Sequence, residues 1–161
     1  MSRPGPGPTG VDVAAEVEAR LGRSPQGAWE VVVWSDAGEP MVIRNAPLLA
    51  DGRPMPTRYW LIDPAVRAAI GRLEAEGGVR RAEREVDPEA LAAAHQRYRA
   101  ERDDALGPDH DGPRPSGGVG GTRTGVKCLH AHYAWYLAGG PDPVGEWVHQ
   151  QLALASDGPV R

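Results

Sequence analysis

The sequence predicts an α+β fold, a small antiparallel sheet of about three strands packed with four or five helices, on two groups of residues. The first half carries short runs rich in β-branched and aromatic residues, of which Trp29-Glu30-Val31-Val32-Val33-Trp34 is the clearest. In the second half Asp63-Pro64, Asp87-Pro88 and Asp142-Pro143 stand where helices begin. An aspartate there accepts a first-turn N–H, and a proline lacks the N–H that would go unused.

Taken in order, residues 1–8 are Pro/Gly-rich and predict a disordered lead before a single domain at 9–155, with 156–161 a C-terminal tail. Thr9 is placed to cap a helix through Arg20, in which Val13, Val17 and Leu21 recur on one face. Gly22 ends it and Ser24-Pro25-Gln26-Gly27 turns the chain. The strand at 29–34 leads through Ser35–Pro40 to a partner, Met41-Val42-Ile43-Arg44, and a proline-punctuated loop at 47–56 precedes a third strand at 57–62. Three strands with helices on an apolar face are stable where a lone hairpin is not. After Asp63, Val66, Ile70 and Leu73 form a helical stripe that Gly77-Gly78 interrupts. The helix from Pro88 carries Leu91, Ala94, Tyr98 and Arg102, its charged positions forming a solvated face. Residues 107–121 have almost no apolar content and read as a linker or a flexible flap. The last two helices fall at about 126–138 and 143–154, broken by Gly139-Gly140-Pro141.

Composition narrows the function classes. The chain has 161 residues, enough for one domain with a real core, and no Phe, so the core is built from Leu, Val, Ala, Ile, Trp and Tyr. A net charge of −4 gives no general attraction to nucleic acid or anionic membrane. Seventeen Arg against one Lys, with abundant Ala, Gly and Pro, matches a high-GC bacterial coding bias. A single cysteine makes no internal disulfide, no apolar run approaches the roughly 18 residues of a membrane span, and residues 1–8 hold no apolar signal core. The expectation is a cytoplasmic protein.

The stretch Gly125–Ala134 holds the only cysteine, the only lysine and two of the five histidines. On a continuous helix Cys128 and His132 lie at i and i+4 and face the same way, while His130 is turned about 200° from Cys128. Thiolate and imidazole at that spacing supply half of a tetrahedral metal site, or a thiol activated by an imidazole. Against this, a lone cysteine on an amphipathic helix is most often a small buried hydrophobe. Cys128 and His132 are the candidate catalytic pair; Lys127, His130 and His95 are candidate ligand-binding residues. A second cluster, Thr57-Arg58-Tyr59-Trp60 with Arg44 and Asp63, places arginines on the sheet where a phosphate or carboxylate could be gripped; the alternative is that Tyr59 or Trp60 is core and Arg58 points into solvent.

Leu49–Leu61, Arg72-Leu73-Glu74-Ala75-Glu76-Gly77-Gly78, Val126–His132 and Gly140-Pro141-Asp142-Pro143-Val144-Gly145 occur in the order found in the domain of unknown function numbered 501, which the chain resembles over roughly residues 18–150. The resemblance implies a single cytoplasmic domain of mainly actinobacterial distribution, with a genomic context near cell division, and no established activity. Members of that family carry further cysteines in the first hairpin turn and before the helix at Pro64. Here those positions read Trp34–Gly38 and Leu61–Pro64, with Asp36 and Asp63 the nearest oxygen donors.

Two functions from different classes follow. One is a non-enzymatic binding protein, linked to a cell-envelope or division complex, with residues 125–134 as part of its ligand or partner surface. The other is a small enzyme or metal-dependent hydrolase using Cys128 and His132, with Arg58 or Lys127 gripping an anionic substrate. The sequence by itself names no cofactor, no bound metal and no partner.

Overall fold

Residues 12–157 are described by the structure, a computed structural model. The element order is α1 (Val13–Leu21), β1 (Trp29–Trp34), β2 (Pro40–Asn45), β3 (Tyr59–Leu61), α2 (Pro64–Ala75), α3 (Gly78–Glu85), α4 (Pro88–Asp104), α5 (Leu129–Leu137) and α6 (Pro143–Ser156), with a 3-10 turn at Val119–Gly121. This is the expected α+β fold, a three-stranded antiparallel sheet of order β1-β2-β3 with helices about it. The lead at 1–8 and the Thr9 cap lie outside the described residues; Asp12 caps α1, accepting from Ala15 N at 3.2 Å.

Strand pairing decides what each face buries. Val42 stands opposite Leu61, Ile43 opposite Trp60 and Arg44 opposite Tyr59. Successive strand residues point to opposite faces, yet Val42 and Ile43 are both 0 % exposed, so both faces of the central strand are covered. On one face Val42, Tyr59 and Leu61 join the main core with Ile70, Leu73, Leu91, Tyr98, Leu129 and Trp135. On the other, Ile43 and Ile62 pack with Val17 of α1. Each such buried aliphatic contributes roughly 1.5–3 kcal/mol of transfer free energy. Arg20 secures this second layer, with Nε 2.6 Å from Glu16 and Nη2 3.3 Å from Glu39 in the turn between β1 and β2.

The expected caps at Asp63, Asp87 and Asp142 all form, accepting from Val66 N, Ala90 N and Val144 N at 2.9, 3.1 and 2.9 Å. Sequence periodicity misses α3, because GVRRAERE buries only Gly78 and Ala82 and offers no apolar stripe. Its entry depends on glycine: Gly77 has φ +84°, and a Cβ on Gly78 would stand 2.6 Å from the Leu73 carbonyl oxygen.

The 107–121 segment, expected as a linker or flap, is tied to α4. Arg102, which is 0 % exposed, donates through Nη1 to the carbonyls of Pro56, Ser116 and Gly117 and through Nη2 to that of Pro115. Asp103, 3.1 Å from the guanidinium, balances its charge. Gly118 then passes so close to α4 that a Cβ there would meet His95 Nδ1 at 2.5 Å.

The helix expected from about residue 126 begins at Leu129 instead. The Val126 and Leu129 N–H groups are taken by carboxylates of preceding helices, Glu83 Oε1 at 2.9 Å and Glu74 Oε2 at 3.1 Å. These bonds hold 126–128 outside the helix and leave Cys128, at φ −150° and ψ 125°, as the N-cap of α5. Among the described residues no helix is long and apolar enough to cross a membrane.

Candidate metal centre

Because β3 is an edge strand, its outer side opens on a cavity of about 410 Å³. The end of α1 and the turn after it supply Leu21 and Arg23, β3 and the loop before it Tyr59, Trp60, Leu61 and Thr57, α2 supplies Arg67, and the approach to α5 and its first turn bring Lys127, Cys128, His130 and Ala131.

Capping turns Cys128 toward a different histidine from the one helical spacing suggests. Its Sγ lies 3.6 Å from His130 Nδ1. The i, i+4 pairing of Cys128 with His132 fails because Cys128 is outside the helix. His132 points inward, 0 % exposed, with Nδ1 2.6 Å from Asp142 Oδ2. Asp142 Oδ1 meanwhile accepts from Val144 and Gly145 at the start of α6, so His132 belongs to a buried joint between α5 and α6.

Glu74 of α2 completes the cluster. Its Oε1 is 3.0 Å from His130 Nδ1, the nitrogen that faces Cys128, while Oε2 accepts from Leu129 N. His130 Nε2 meets the Arg67 carbonyl oxygen at 3.2 Å. Glu74 and His130 are thus each oriented by a backbone group, and Glu74 Oε1, Cys128 Sγ and His130 Nδ1 are left within 4.8 Å of one another. Among the described residues this is the one group of three such donors that converges. Asp36 and Asp63 do not join it; Asp63 is spent on the α2 cap.

Electrostatics follow from the geometry. Burial pushes the Cys128 thiol up, but hydrogen bonds from His130 and the Ala131 N–H, with the His130 charge, outweigh it and hold the thiol below its ordinary value. His130 is raised, first by its bond to Cys128, against burial, and then by the charges of Cys128 and Glu74. The thiol is therefore predisposed to its anionic form, the form that ligates metals and attacks electrophiles.

The remaining candidates lie elsewhere, except Lys127 and Thr57, which line the cavity. Arg44 pairs with Glu30 across the hairpin. Arg58 Nη1 donates to the Asn45 carbonyl at 2.9 Å, and Tyr98 holds its backbone N–H. The two arginines share a shallow hollow with Trp29 and Asn45, not the cavity of Cys128. His95 is a core residue: Nδ1 accepts from Val119 N at 3.1 Å, which fixes the proton on Nε2, and Nε2 donates to the Gly125 carbonyl at 2.8 Å. Sequence reasoning missed Glu74, Arg23 and Arg67. Glu74 stands in the Arg72–Gly78 motif, but nothing in its spacing ties it to residues 128–130.

No curated protein and no solved structure matches the chain. The family model described as protein of unknown function (DUF501) matches residues 31–150, and with three quarters of its length inside that match the chain belongs to this family.

Proposed function

We propose that this protein is a small zinc-dependent hydrolase, its metal held by Glu74 Oε1, Cys128 Sγ and His130 Nδ1 in the wall of the cavity beside β3. The carrying observation is the convergence of those three atoms, with the Glu74 and His130 side chains each fixed by a backbone partner. In metal sites a ligating histidine donates its other N–H to a carbonyl, as His130 Nε2 is placed to do with Arg67. Charge points the same way. A thiolate and a carboxylate face one imidazole nitrogen, two anions that one bridging proton neutralises poorly and a dication neutralises well.

The spacing is compatible with a common ion. A tetrahedral zinc with bonds of about 2.3 Å to sulfur and about 2.05 Å to nitrogen and oxygen has S–N and N–O edges of about 3.5 and about 3.3 Å. The corresponding separations are 3.6 and 3.0 Å. Zinc with three protein ligands supplies a Lewis acid and a bound water of lowered pKa. The chain's own residues orient the donors, and Arg67, Lys127 and Arg23 draw an anion into the cavity.

A binding protein serving an envelope or division complex would need residues 125–134 as a partner surface. In that stretch Leu129, His132, Tyr133 and Ala134 are buried, and Lys127, Cys128 and His130 all open on the cavity. This favours a small ligand over a protein partner. One observation supports a second catalytic reading. Cys128 stands at the N-terminus of α5 and its sulfur faces His130 Nδ1, the arrangement of an activated thiol nucleophile.

Metal analysis of the native purified protein, combined with alkylation of Cys128, separates the two. The expected result is about one zinc per chain, a thiol shielded until a chelator is added, loss of zinc in Cys128→Ser, and loss of both zinc and shielding in Glu74→Gln. A protein that takes up no metal on reconstitution, with a thiol that alkylates freely below its ordinary pKa, overturns the metal reading in favour of the nucleophile.

A further inference from the structure

Resting on that reading, we infer that the cavity beside β3 takes an organic phosphate monoester with a planar ring, so that the reaction is phosphate ester hydrolysis. The chain carries a net charge of −4, yet Arg23, Arg67 and Lys127 converge on one cavity. Among the described residues none of the three is in an ion pair with a carboxylate. Most other arginines placed near the sheet are spent: Arg20 on Glu16 and Glu39, Arg44 on Glu30, Arg102 on the 115–117 carbonyls. Three cations outside any carboxylate pair, on a cavity whose lining holds no carboxylate, call for a multiply charged anion, and two of them are guanidinium forks shaped for phosphate oxygens.

Leu21, Trp60, Leu61 and Ala131 add an apolar wall, with the Arg23 guanidinium over the Trp60 ring, 5.2 Å from its centre. A guanidinium lying over an indole leaves its own outer plane free to stack on a flat, electron-rich group. The volume, about 410 Å³, falls in the range of sites for ligands the size of a nucleoside monophosphate. Inorganic phosphate would satisfy the cations and leave this wall bare; a neutral aromatic would do the reverse.

The step balances without an oxidant or reductant. Water adds its oxygen to phosphorus, the bond from phosphorus to the ester oxygen breaks, and the departing alkoxide or phenoxide takes a proton from that water. Products are inorganic phosphate and a neutral alcohol or phenol.

The test uses the full-length protein and calorimetric titration with phenyl phosphate, benzoate, phenol, inorganic phosphate and adenosine monophosphate, with zinc content measured on each sample. Phenyl phosphate and adenosine monophosphate are expected to bind at least about tenfold more tightly than benzoate, phenol or inorganic phosphate. Lys127→Ala, at an exposed position outside any ion pair, should weaken phenyl phosphate about tenfold and leave zinc content unchanged. Trp60→Leu should weaken both ring-bearing phosphates and leave inorganic phosphate unaffected. Equal binding of benzoate and phenyl phosphate, or no effect of Lys127→Ala with zinc in place, overturns the inference while sparing the metal centre. Tight phenyl phosphate binding by a protein without zinc supports the ligand class and sinks the metal reading alone.

Discussion

Cys128 and His132 show how much a single capping decision moves a site. A helix continuous from residue 126 would put them on one face; a helix that starts at Leu129 releases the Cys128 side chain to His130 and turns His132 inward. The two histidines then have opposite characters. His130 is half-buried on the cavity, and His132 is 0 % exposed and bonded to Asp142. Asp142 both bonds the buried His132 ring and caps α6, so Asp142→Ala removes two functions from a buried position. The expected cost is at least about 3 kcal/mol, read as a shift in the urea midpoint, with zinc per folded chain unchanged. A loss below about 1 kcal/mol, or loss of metal from the folded protein, would return His132 to the site.

At the scale of elements, the approach to the site depends on how the 115–125 segment lies on α4. Arg102 and His95, seven residues apart on that helix, hold it from inside: Arg102 by the carbonyls of 115–117, His95 by the Val119 N–H and the Gly125 carbonyl. These contacts explain why composition suggested a flap. Gly and Pro are abundant there because the chain must run flush against α4, and the partners that order it are 13 to 30 residues away in sequence. His95 also sets a pH dependence. Burial, chiefly, and the nearby His132 and Arg99 charges lower it from its ordinary 6.5, against the Gly125 carbonyl and Asp142. Below pH 6.5 the unfolded chain takes up a proton that the folded chain refuses, so this contribution is complete above 6.5 and is lost as the pH falls toward the lowered value. The slope is at most about 1.4 kcal/mol per pH unit for one proton. Unfolding titrations between pH 7.5 and 5 should show it, and His95→Asn should start less stable at pH 7.5 but lose less on acidification. An acid slope that survives in His95→Asn would place the titration elsewhere.

For the whole molecule, the sheet and five of its helices could be anticipated from local chemistry: β-branched runs, Asp-Pro starts and glycine stops. What local chemistry did not yield was the second layer. Nothing in Val13, Val17 and Leu21 says that α1 covers the face of the sheet opposite the other helices, since that depends on Ile43 and Ile62 pointing the other way from Val42 and Leu61. The site follows the same division. Its thiol and imidazole were visible as a cluster within one stretch, whereas Glu74 and Arg67 come from α2, more than fifty residues earlier. They meet Cys128 only because α2 and α5 both pack near the edge strand β3, so the third donor is a product of tertiary structure. The central claim is that these three donors bind one ion, and X-ray absorption at the zinc edge of the metal-loaded protein tests it most directly. A shell with one sulfur at about 2.3 Å and nitrogen or oxygen at about 2.0–2.2 Å, the sulfur lost in Cys128→Ser, is the predicted result; a shell of nitrogen and oxygen alone, unchanged by that substitution, would contradict it.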